Sequence, residues 1–420
     1  MTDRTPEPSK VEIIKAGSAG LRGSLGEELA APASHFSDDG RQVLKFHGVY
    51  EQDDRDARRE RKNGGEEPSY SFMVRAKIPA GALSGEQYLA FDDLAVRHAG
   101  GALRITTRQD IQLHGVVKRD LRQTIRDMND ALVTTLGACG DVVRNVVSCP
   151  APLAFRARDE AQQVARDLSD RLLPRTPAYH EIWLNGESVD GGPPPVAADP
   201  LYGARYLPRK FKIGLSFPDD NCCDVHSNDL GLLAVRDGDR IAGFDVLVGG
   251  GLGATHGKKD TFPRLATPLA FAAPSEVPAI AEAVVTVHRD FGDRTNRRHA
   301  RLKYVVEENG IAWFRDEVER RLGRPLLPPR GTPVTEIHDH LGWHAHGDGR
   351  WFLGVFVENG RVRDDDRAAL RTALRRVILE TGADVRLTPQ QNPLLAGIAE
   401  RDRSLVDLVL DAHGVKPVQR

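Results

Sequence analysis

The sequence predicts an α+β fold in which one β-α-β-β-α unit occurs twice, before and after a larger mixed region. The first observation is a repeated order of elements, starting near Ser71 and again near Arg350. The second is a likeness between LRITTRQDIQLHGV and VRLTPQQNPLLAGI, about 280 residues apart. That period is too long for a solenoid. It suits two pseudo-symmetric halves that close on one site.

The first unit follows from periodicity and stop signals. SFMVRAKIP predicts a strand ended by Pro79. A helix follows, with Ser84 as N-cap and Gly100 as its stop. ALRITTRQDIQLHGV predicts strands around a charged turn, and LRQTIRDMNDALVTTLG predicts a second helix ended at Gly137. The dense charge run Glu51–Glu67 favours a solvated helix and loop.

The remaining chain divides by composition. The first 40 residues predict an extended arm, and the region from Ala138 to Gly323 mixes strands and helices. A proline-rich connector, Leu322–Pro333, leads to the second unit. There RWFLGVFVENG predicts a hairpin, RAALRTALRRVILETG a helix, ADVRLTPQQNPLLAGI a strand pair and RSLVDLVLDAHG a closing helix. The predicted domains are an arm, a first half, a larger α+β domain and a second half, at 1–60, 61–137, 138–330 and 331–420.

Composition narrows the class of protein. The chain has 420 residues, 40% hydrophobic and 28% charged, as expected for a soluble protein of two or three domains. A net charge of −2 argues against a chain-wide nucleic-acid surface but allows a local basic pocket. No apolar stretch is long enough for a membrane helix or signal peptide. Sparse cysteines suit a reducing cytoplasm. Their spacing matches no common zinc or cluster motif, so we interpret them as buried or idle thiols: Cys139, Cys149, Cys222 and Cys223.

A donor-rich strand is the first candidate binding element. On a strand, alternate residues share a face, so Arg104, Thr106 and Arg108 are predicted to point one way. Gln112 and His114 share a face further on. Guanidinium groups suit carboxylate or phosphate oxygens. A single arginine there fits a solvated strand face as well, but the whole set favours binding.

Other basic segments are weaker when each is taken alone. In the duplicated segment, Thr106, Gln112 and Gly115 correspond to Thr388, to Asn392 or nearby Gln391, and to Gly397. YLPRKFKIG fits either an anion-binding site or an ordinary basic edge strand. VGGGLG fits a loop where backbone approaches a ligand, or a plain turn, and it lacks the dinucleotide-binding register. The candidate residues in these and neighbouring segments are Arg75, Arg144, Asn145, Arg209, Lys210, Lys212, Gly250, Gly251, Arg301 and Lys303.

Together these segments resemble the siroheme-dependent sulfite and nitrite reductases, nearest the hemoprotein (beta) component of assimilatory sulfite reductase. The resemblance runs from Leu21 to the last residue. Its motifs are HGVYEQDDRDARRER, TRQDIQLHG, CGDVVRN, LLPRTPAYHEIWLNGE, YLPRKFKIG, FDVLVGGGLG and HRDFGDRTNRRHARLKY. It implies two ferredoxin-like halves and a larger siroheme-binding unit, with a second such unit missing from this chain. The implied activity is the six-electron reduction of sulfite to sulfide in the cytoplasm.

The resemblance also implies roles for individual residues. On the substrate side it places Arg75, Arg144, Lys210 and Lys212. Siroheme contacts are implied for Arg104, Thr106, Arg108, Gln112, His114 and Arg209, and in the second half for Gln391 and Asn392. Asn145, Gly250, Gly251, Arg301 and Lys303 are further candidate cofactor contacts.

The cysteines depart from the family's pattern. The resemblance implies a [4Fe–4S] cluster held by C-x₅-C and C-x₃-C pairs, and the chain stops at VKPVQR before such pairs. We therefore expect no metal ligands in this chain, and a cysteine-bearing C-terminal part or second chain as partner. The expected electron donor is a flavoprotein reductase using NADPH, or else ferredoxin. The alternatives are a non-catalytic siroheme-pocket fragment and a nitrite reductase of the same family.

Overall fold

Three five-stranded sheets organise the computed structural model, which describes residues 7–53, 68–185 and 198–416. Two of the sheets belong to the duplicated halves and are antiparallel throughout. The third belongs to the middle region and mixes parallel and antiparallel pairs. This arrangement confirms the predicted α+β class. Most of the charge run Glu51–Glu67 lies outside the described residues.

The two half-domain sheets exchange one short strand each. The first sheet has the order β1-β2-β5-β4-β13, and the other has the order β11-β12-β15-β14-β3. The first-half sheet consists of β1 (Val49–Asp53), β2 (Tyr70–Arg75), β4 (Leu103–Ile105), β5 (Ile111–Val116) and β13 (Arg361–Val362). The second-half sheet consists of β3 (Ala82–Leu83), β11 (Gly342–Ala345), β12 (Arg350–Gly354), β14 (Asp384–Leu387) and β15 (Pro393–Ala399). Because β3 and β13 each cross over, neither half completes its sheet alone.

Helices cover the two half-domain sheets. In the first half these are α4 (Gly85–His98) and α5 (Leu121–Asp130), and in the second α9 (Leu370–Thr381) and α10 (Arg403–Ala412). Ser84 caps α4 in a complete capping box with Gln87, as the sequence predicts. Asp92 on α4 is fully buried and accepts hydrogen bonds from Arg371 and Arg375 on α9. This ion pair ties the halves together across their helices.

The middle region packs helices on a sheet of order β10-β9-β8-β7-β6. Its strands are β6 (Val147–Ser148), β7 (Ile213–Ser216), β8 (Leu230–Asp237), β9 (Arg240–Val248) and β10 (Thr267–Ala272). The helices are α6 (Arg156–Arg171), α7 (Val277–Phe291) and α8 (Leu302–Leu322). Among the described residues, no helix is both long and apolar enough to span a bilayer.

Three local predictions are wrong. The N-terminal arm is not extended: it folds as α1 (Lys10–Ala16), α2 (Leu25–Ala30) and α3 (Asp38–Leu44). Buried side chains at Leu21, Leu25 and Phe36 anchor it to the main core. Sparse apolar residues in the sequence hid this packing.

The other two concern where elements end. The second helix stops at Asp130 instead of Gly137, because Leu132 takes φ 60° and the chain turns to let Thr135 donate to the His47 carbonyl at 2.7 Å. RWFLGVFVENG supplies only one strand of a hairpin, because β12 pairs with the preceding β11. Its strand β12 ends at Gly354, and the chain then crosses to the first sheet as β13.

Candidate functional site

Three arginines and a glutamine form one row across four strands of the first sheet. The register pairs Arg75 with Gln112, Gln112 with Arg104, and Arg104 with Arg361. Directly opposed residues share a face with Cβ atoms about 4.5–5.5 Å apart. Like charges at this spacing repel unless an anion lies between or over them. The row therefore suits a ligand with several carboxylates.

Gln112 orients the middle of this row. Its amide satisfies its neighbours when the oxygen accepts from Arg75 Nε at 3.0 Å and the nitrogen donates to His114 Nε2 at 3.2 Å. The His114 Nδ1–H then donates to the Gln52 side-chain oxygen at 3.1 Å. Burial, reinforced by Arg104 and nearby arginines, lowers the pKa of His114. The imidazole is accordingly neutral in this arrangement.

The predicted strand face through Arg104, Thr106 and Arg108 is wrong. Strand β4 ends at Ile105, and residues 106–110 form a tight turn in which Thr106 N–H donates to the Asp110 carbonyl at 2.9 Å. Arg108 consequently points into the protein. It donates to the carbonyls of Asn145 and Ile213, both at 2.5 Å, and to Asn228. Burial lowers its pKa to about 10.

Asn145 and Asp110 complete this buried turn. Asn145 Nδ2 donates to the carbonyls of Ile78 and Arg108 at 2.6 and 2.8 Å. Asp110 Oδ1 accepts from Ile78 N–H at 3.3 Å, while Oδ2 has no partner among the described residues. Burial raises the pKa of Asp110 to about 7, against the opposing influence of Arg75. The predicted candidate Asn145 thus holds backbone at the base of the site.

A second group of cations lies on the loop before β7. Phe211 is fully buried, while Arg209, Lys210 and Lys212 are half-buried. Neither lysine ammonium group makes a hydrogen bond or ion pair with the part of the chain that the structure describes. Burial and neighbouring cations, chiefly Arg144, lower the pKa of Lys210 to about 8. Burial and neighbouring cations, here chiefly Arg108, lower the pKa of Lys212 to about 7.

Arg144 connects this loop to the arginine row. It donates from Nε to the Gly140 carbonyl and from Nη1 to the Ala138 carbonyl, both at 3.0 Å, and it also bonds the Tyr50 hydroxyl. Tyr50 and Asp110 each interact electrostatically with both Arg75 and Arg144. The row and the loop cations therefore form one basic region.

The glycine loop and its basic neighbours are occupied by protein contacts. Arg301 forms a two-pronged ion pair with buried Asp229, at 3.1 and 2.8 Å. Lys303 donates to the carbonyls of Gly251 and Gly253 at 3.2 and 2.7 Å. A Cβ at Gly250 would lie 2.2 Å from a backbone oxygen. These residues shape the loop, and direct cofactor contacts by Gly250, Gly251, Arg301 and Lys303 stay a prediction.

The second half repeats the turn of the first. Thr388 N–H donates to the Asn392 carbonyl at 2.8 Å, as Thr106 does to Asp110. Gln391 and Gln109 both have positive φ, 68° and 56°. Gln391 Nε2 donates to the Ile105 carbonyl at 2.9 Å, and Gln109 Nε2 donates to the Leu387 carbonyl at 2.7 Å. The counterpart of Gln391 is thus Gln109, and the predicted match with Gln112 is wrong.

Thiol groups form a further cluster that the sequence did not predict. Cys149, Asp220, Cys222 and His340 are all buried, and one donor atom of each lies within 4.8 Å of the others. This finding corrects the expectation that the chain contains no metal ligands. Cys139 is not one of these four residues and interacts instead with Tyr50 and Arg144.

Sequence reasoning missed Arg361 in the basic region and Gln109 in the turn at its base. Arg361 completes the arginine row, but it lies on a two-residue strand that crosses from the other half. Gln109 ties the halves together, and its signal was available: it stands three residues after Thr106, as Gln391 stands three after Thr388. A strict alignment of the two turns would have identified it.

Comparison with known proteins gives consistent matches along the whole chain. Residues 139–326 match the family model "Nitrite and sulphite reductase 4Fe-4S domain". Residues 64–131 and 344–412 match "Nitrite/Sulfite reductase ferredoxin-like half domain". A sulfite reductase (NADPH) hemoprotein beta-component of Myxococcus xanthus is 48% identical over 98% of this chain and 73% of that protein. A sulfite reductase (ferredoxin) of Synechococcus elongatus is 43% identical over 98% of this chain and 68% of that protein.

A solved structure also matches. The NirA protein of Mycobacterium tuberculosis superposes with a TM-score of 0.77 at 25% identity, covering 98% of this chain and 70% of that one. The likeness includes the duplicated half-domains described above.

Proposed function

The chain belongs to the nitrite and sulfite reductase family, and on that premise we propose that its basic region binds siroheme and sulfite for the reduction of sulfite to sulfide. The hemoprotein relatives at 43–48% identity support this activity. The single observation that carries the proposal is the basic region formed by the arginine row and the loop cations, which Arg144 and Tyr50 connect.

The described residues fit siroheme, whose ring carries eight carboxylates. Arg75, Arg104 and Arg361 lie in one row, where guanidinium groups can hold carboxylates by paired hydrogen bonds. Gln112 and neutral His114 add hydrogen-bonding groups without adding charge. When bound, siroheme supplies the iron at which sulfite is reduced, while the protein supplies orientation and charge.

Lys210 and Lys212 are suited to the substrate side. Sulfite is a small dianion, and breaking its three S–O bonds consumes protons. The pKa values of Lys210 and Lys212, about 8 and 7, let each ammonium group hold an anion and release a proton from Nζ near neutral pH. Arg144, fixed by two backbone carbonyls, keeps its charge throughout and positions the anion.

Arg108 and Asn145 have a supporting role in this proposal. The Arg108 side chain donates to the Asn145 carbonyl, and the Asn145 side chain donates to the carbonyls of Ile78 and Arg108. They hold the turn behind the site instead of touching the ligand. The same applies to Gln391, which anchors the second half to Ile105.

A [4Fe–4S] cluster does not fit the described thiols. Such a cluster takes four thiolates, each on a different iron. The buried group at Cys149 and Cys222 combines two thiols with a carboxylate and an imidazole, packed closely enough for one ion. We therefore derive no electron-transfer step through these residues. A cysteine-bearing partner chain stays a prediction.

We further propose a flavoprotein reductase using NADPH as the electron donor, in preference to ferredoxin. Seven of eight curated relatives that match nearly the whole chain carry the NADPH name. Reduction rates with each donor under matched conditions test this choice. Faster turnover with reduced ferredoxin would overturn it.

Separating siroheme binding from turnover tests the main proposal. The protein is expressed with siroheme synthesis enabled and with a cysteine-bearing partner chain, and siroheme is measured by its visible absorption. Sulfite reduction is driven by reduced methyl viologen. We expect Arg104→Met to lower siroheme content, and Lys210→Met to keep siroheme but lose at least about tenfold in turnover.

The control is Arg119→Met, because the Arg119 side chain is 86% exposed. It should leave both measurements unchanged. A wild-type protein that binds no siroheme would overturn the proposal, as would equal loss of siroheme and turnover in Lys210→Met. Faster reduction of nitrite than of sulfite would instead assign the chain to nitrite reduction.

A further inference from the structure

The buried thiol group joins three separate segments of the chain. Cys149 directly follows β6, and Asp220 and Cys222 lie in the loop after β7. His340 lies shortly before β11, in the long connector between α8 and β11 (residues 323–341). Their exposed fractions are 2%, 1%, 3% and 6%. Four potential metal ligands from distant positions in the sequence therefore meet inside the protein.

The spacing of the donor atoms fits one metal ion. Asp220 Oδ2 lies 2.8 Å from Cys149 Sγ and 3.3 Å from His340 Nε2, and the latter two atoms are 3.7 Å apart. All four donors lie within 4.8 Å of one another. A tetrahedral zinc site with bonds of about 2.0–2.3 Å has ligand-to-ligand distances of about 3.3–3.8 Å. Small side-chain shifts would produce that geometry.

Two further observations point to a ligand here. Asp220 Oδ1 is buried and has no hydrogen-bond partner among the described residues, a costly state for a carboxylate oxygen. His340 adopts a left-handed backbone with φ 58°, and its carbonyl is packed so closely on Gly354 that a Cβ there would lie 1.9 Å away. The connector is thus held where it presents the imidazole to the group.

Charge also balances when an ion is bound. A divalent ion with two thiolates, one carboxylate and a neutral imidazole has a net charge of −1. Arg158 supplies the compensating charge: its Nη1 lies 2.8 Å from Asp220 Oδ2 and 2.5 Å from Cys149 Sγ. The guanidinium packs over the Phe217 ring at 4.3 Å, which fixes its position. A buried charged group is stable only when it is paired in this way.

We propose that Cys149, Asp220, Cys222 and His340 bind one divalent transition-metal ion, preferably Zn²⁺, which fastens the connector of the second half to the middle region. Thiolate and imidazole ligands select zinc over magnesium or calcium. The site is closed, with four protein ligands and no open position, as in structural zinc sites. The proposal does not depend on siroheme binding.

Metal content and cobalt spectra of the purified full chain provide the test. The protein is expressed with added zinc, and zinc per chain is measured after dialysis. Cobalt loading should give thiolate-to-cobalt charge-transfer bands and the intense visible bands of a tetrahedral ion. We expect one zinc per chain, and at least about tenfold weaker binding in Cys222→Ser and His340→Gln.

Cys223→Ser is the matched control, since its thiol is adjacent, with its sulfur 4.0 Å from that of Cys222, but is not one of the four donors. It should keep the ion. X-ray absorption of the zinc-loaded wild-type protein removes dependence on variants that fail to fold: two sulfur and two nitrogen or oxygen ligands are expected. Absence of zinc, a site without sulfur ligands, or iron with stoichiometric labile sulfide would overturn the proposal.

Discussion

Lys212→Met measures the folding stability that the protein loses by placing an ammonium group at the site. Burial, with Arg108, Arg301 and Lys210 nearby, lowers the pKa of Lys212 from 10.5 to about 7. At about 1.36 kcal/mol per pKa unit, this difference corresponds to at most about 4–5 kcal/mol. Lys212 is half-buried, so solvent screens part of that penalty. We expect the methionine variant to be more stable by about 1–3 kcal/mol at pH 7.

The pH dependence makes this prediction specific. Because the pKa of Lys212 is lower in the folded than in the unfolded protein, its charge opposes folding fully below about pH 7. The penalty disappears as the pH rises toward 10.5, where the lysine is neutral in both states. The advantage of Lys212→Met should therefore shrink between pH 7 and pH 10.

Urea unfolding of the protein without added siroheme measures both effects. Lys258→Met serves as control, because Lys258 is exposed and should change stability by less than about 0.5 kcal/mol. We also expect Lys212→Met to lose sulfite reduction, so that stability and activity change in opposite directions. An unchanged or lower stability at pH 7, or an advantage that grows with pH, would refute the reasoning.

Three further predictions concern the supporting structure. Gln109→Ala removes side-chain hydrogen bonds to Ser148 and Leu387, and it should lower the free energy of unfolding by about 2–4 kcal/mol, measured by urea unfolding. The control Gln163→Ala, at an exposed position, should change it little. Gly250→Ala places a Cβ against backbone and should lower the melting temperature by several degrees, whereas Gly253→Ala, with open space around it, should not. Because the pKa of Asp110 is about 7 in the folded protein against 3.8, its ionisation opposes folding increasingly from about pH 4 to pH 7 and fully above pH 7. Asp110→Asn should therefore be more stable than wild type by about 2–4 kcal/mol at pH 8 and nearly equal at pH 4, and equal differences at both pH values would contradict this.

Periodic patterns predicted much of the fold, because they report local burial. Apolar spacing and the cap at Ser84 located α4, and similar spacing located α9 and α10. The duplication was visible because both halves need the same turn, with Thr106 and Thr388 accepting from backbone. Such signals depend only on residues close together in the sequence, so a single sequence was sufficient to predict these helices and the repeated turn.

Features that depend on distant segments were not predictable in this way. The N-terminal helices bury few apolar residues of their own and are stabilised by packing on the main core. Arg361 reaches the arginine row only because β13 crosses between sheets. The thiol group needs Cys149 and His340, which are 191 positions apart, to meet at Asp220. No spacing rule for zinc ligands covers such separations.

Hydrogen-bond partners separate two kinds of cation that look alike in the sequence. Arg108 and Lys303 were predicted cofactor contacts, but backbone carbonyls already accept from their side chains. Lys210 and Lys212 make no such bonds with the described residues, and their lowered pKa values show that the folded protein bears a cost for them. A cost of this kind is retained where binding requires it. The unpartnered lysines, more than the number of basic residues, therefore mark where sulfite is expected to bind.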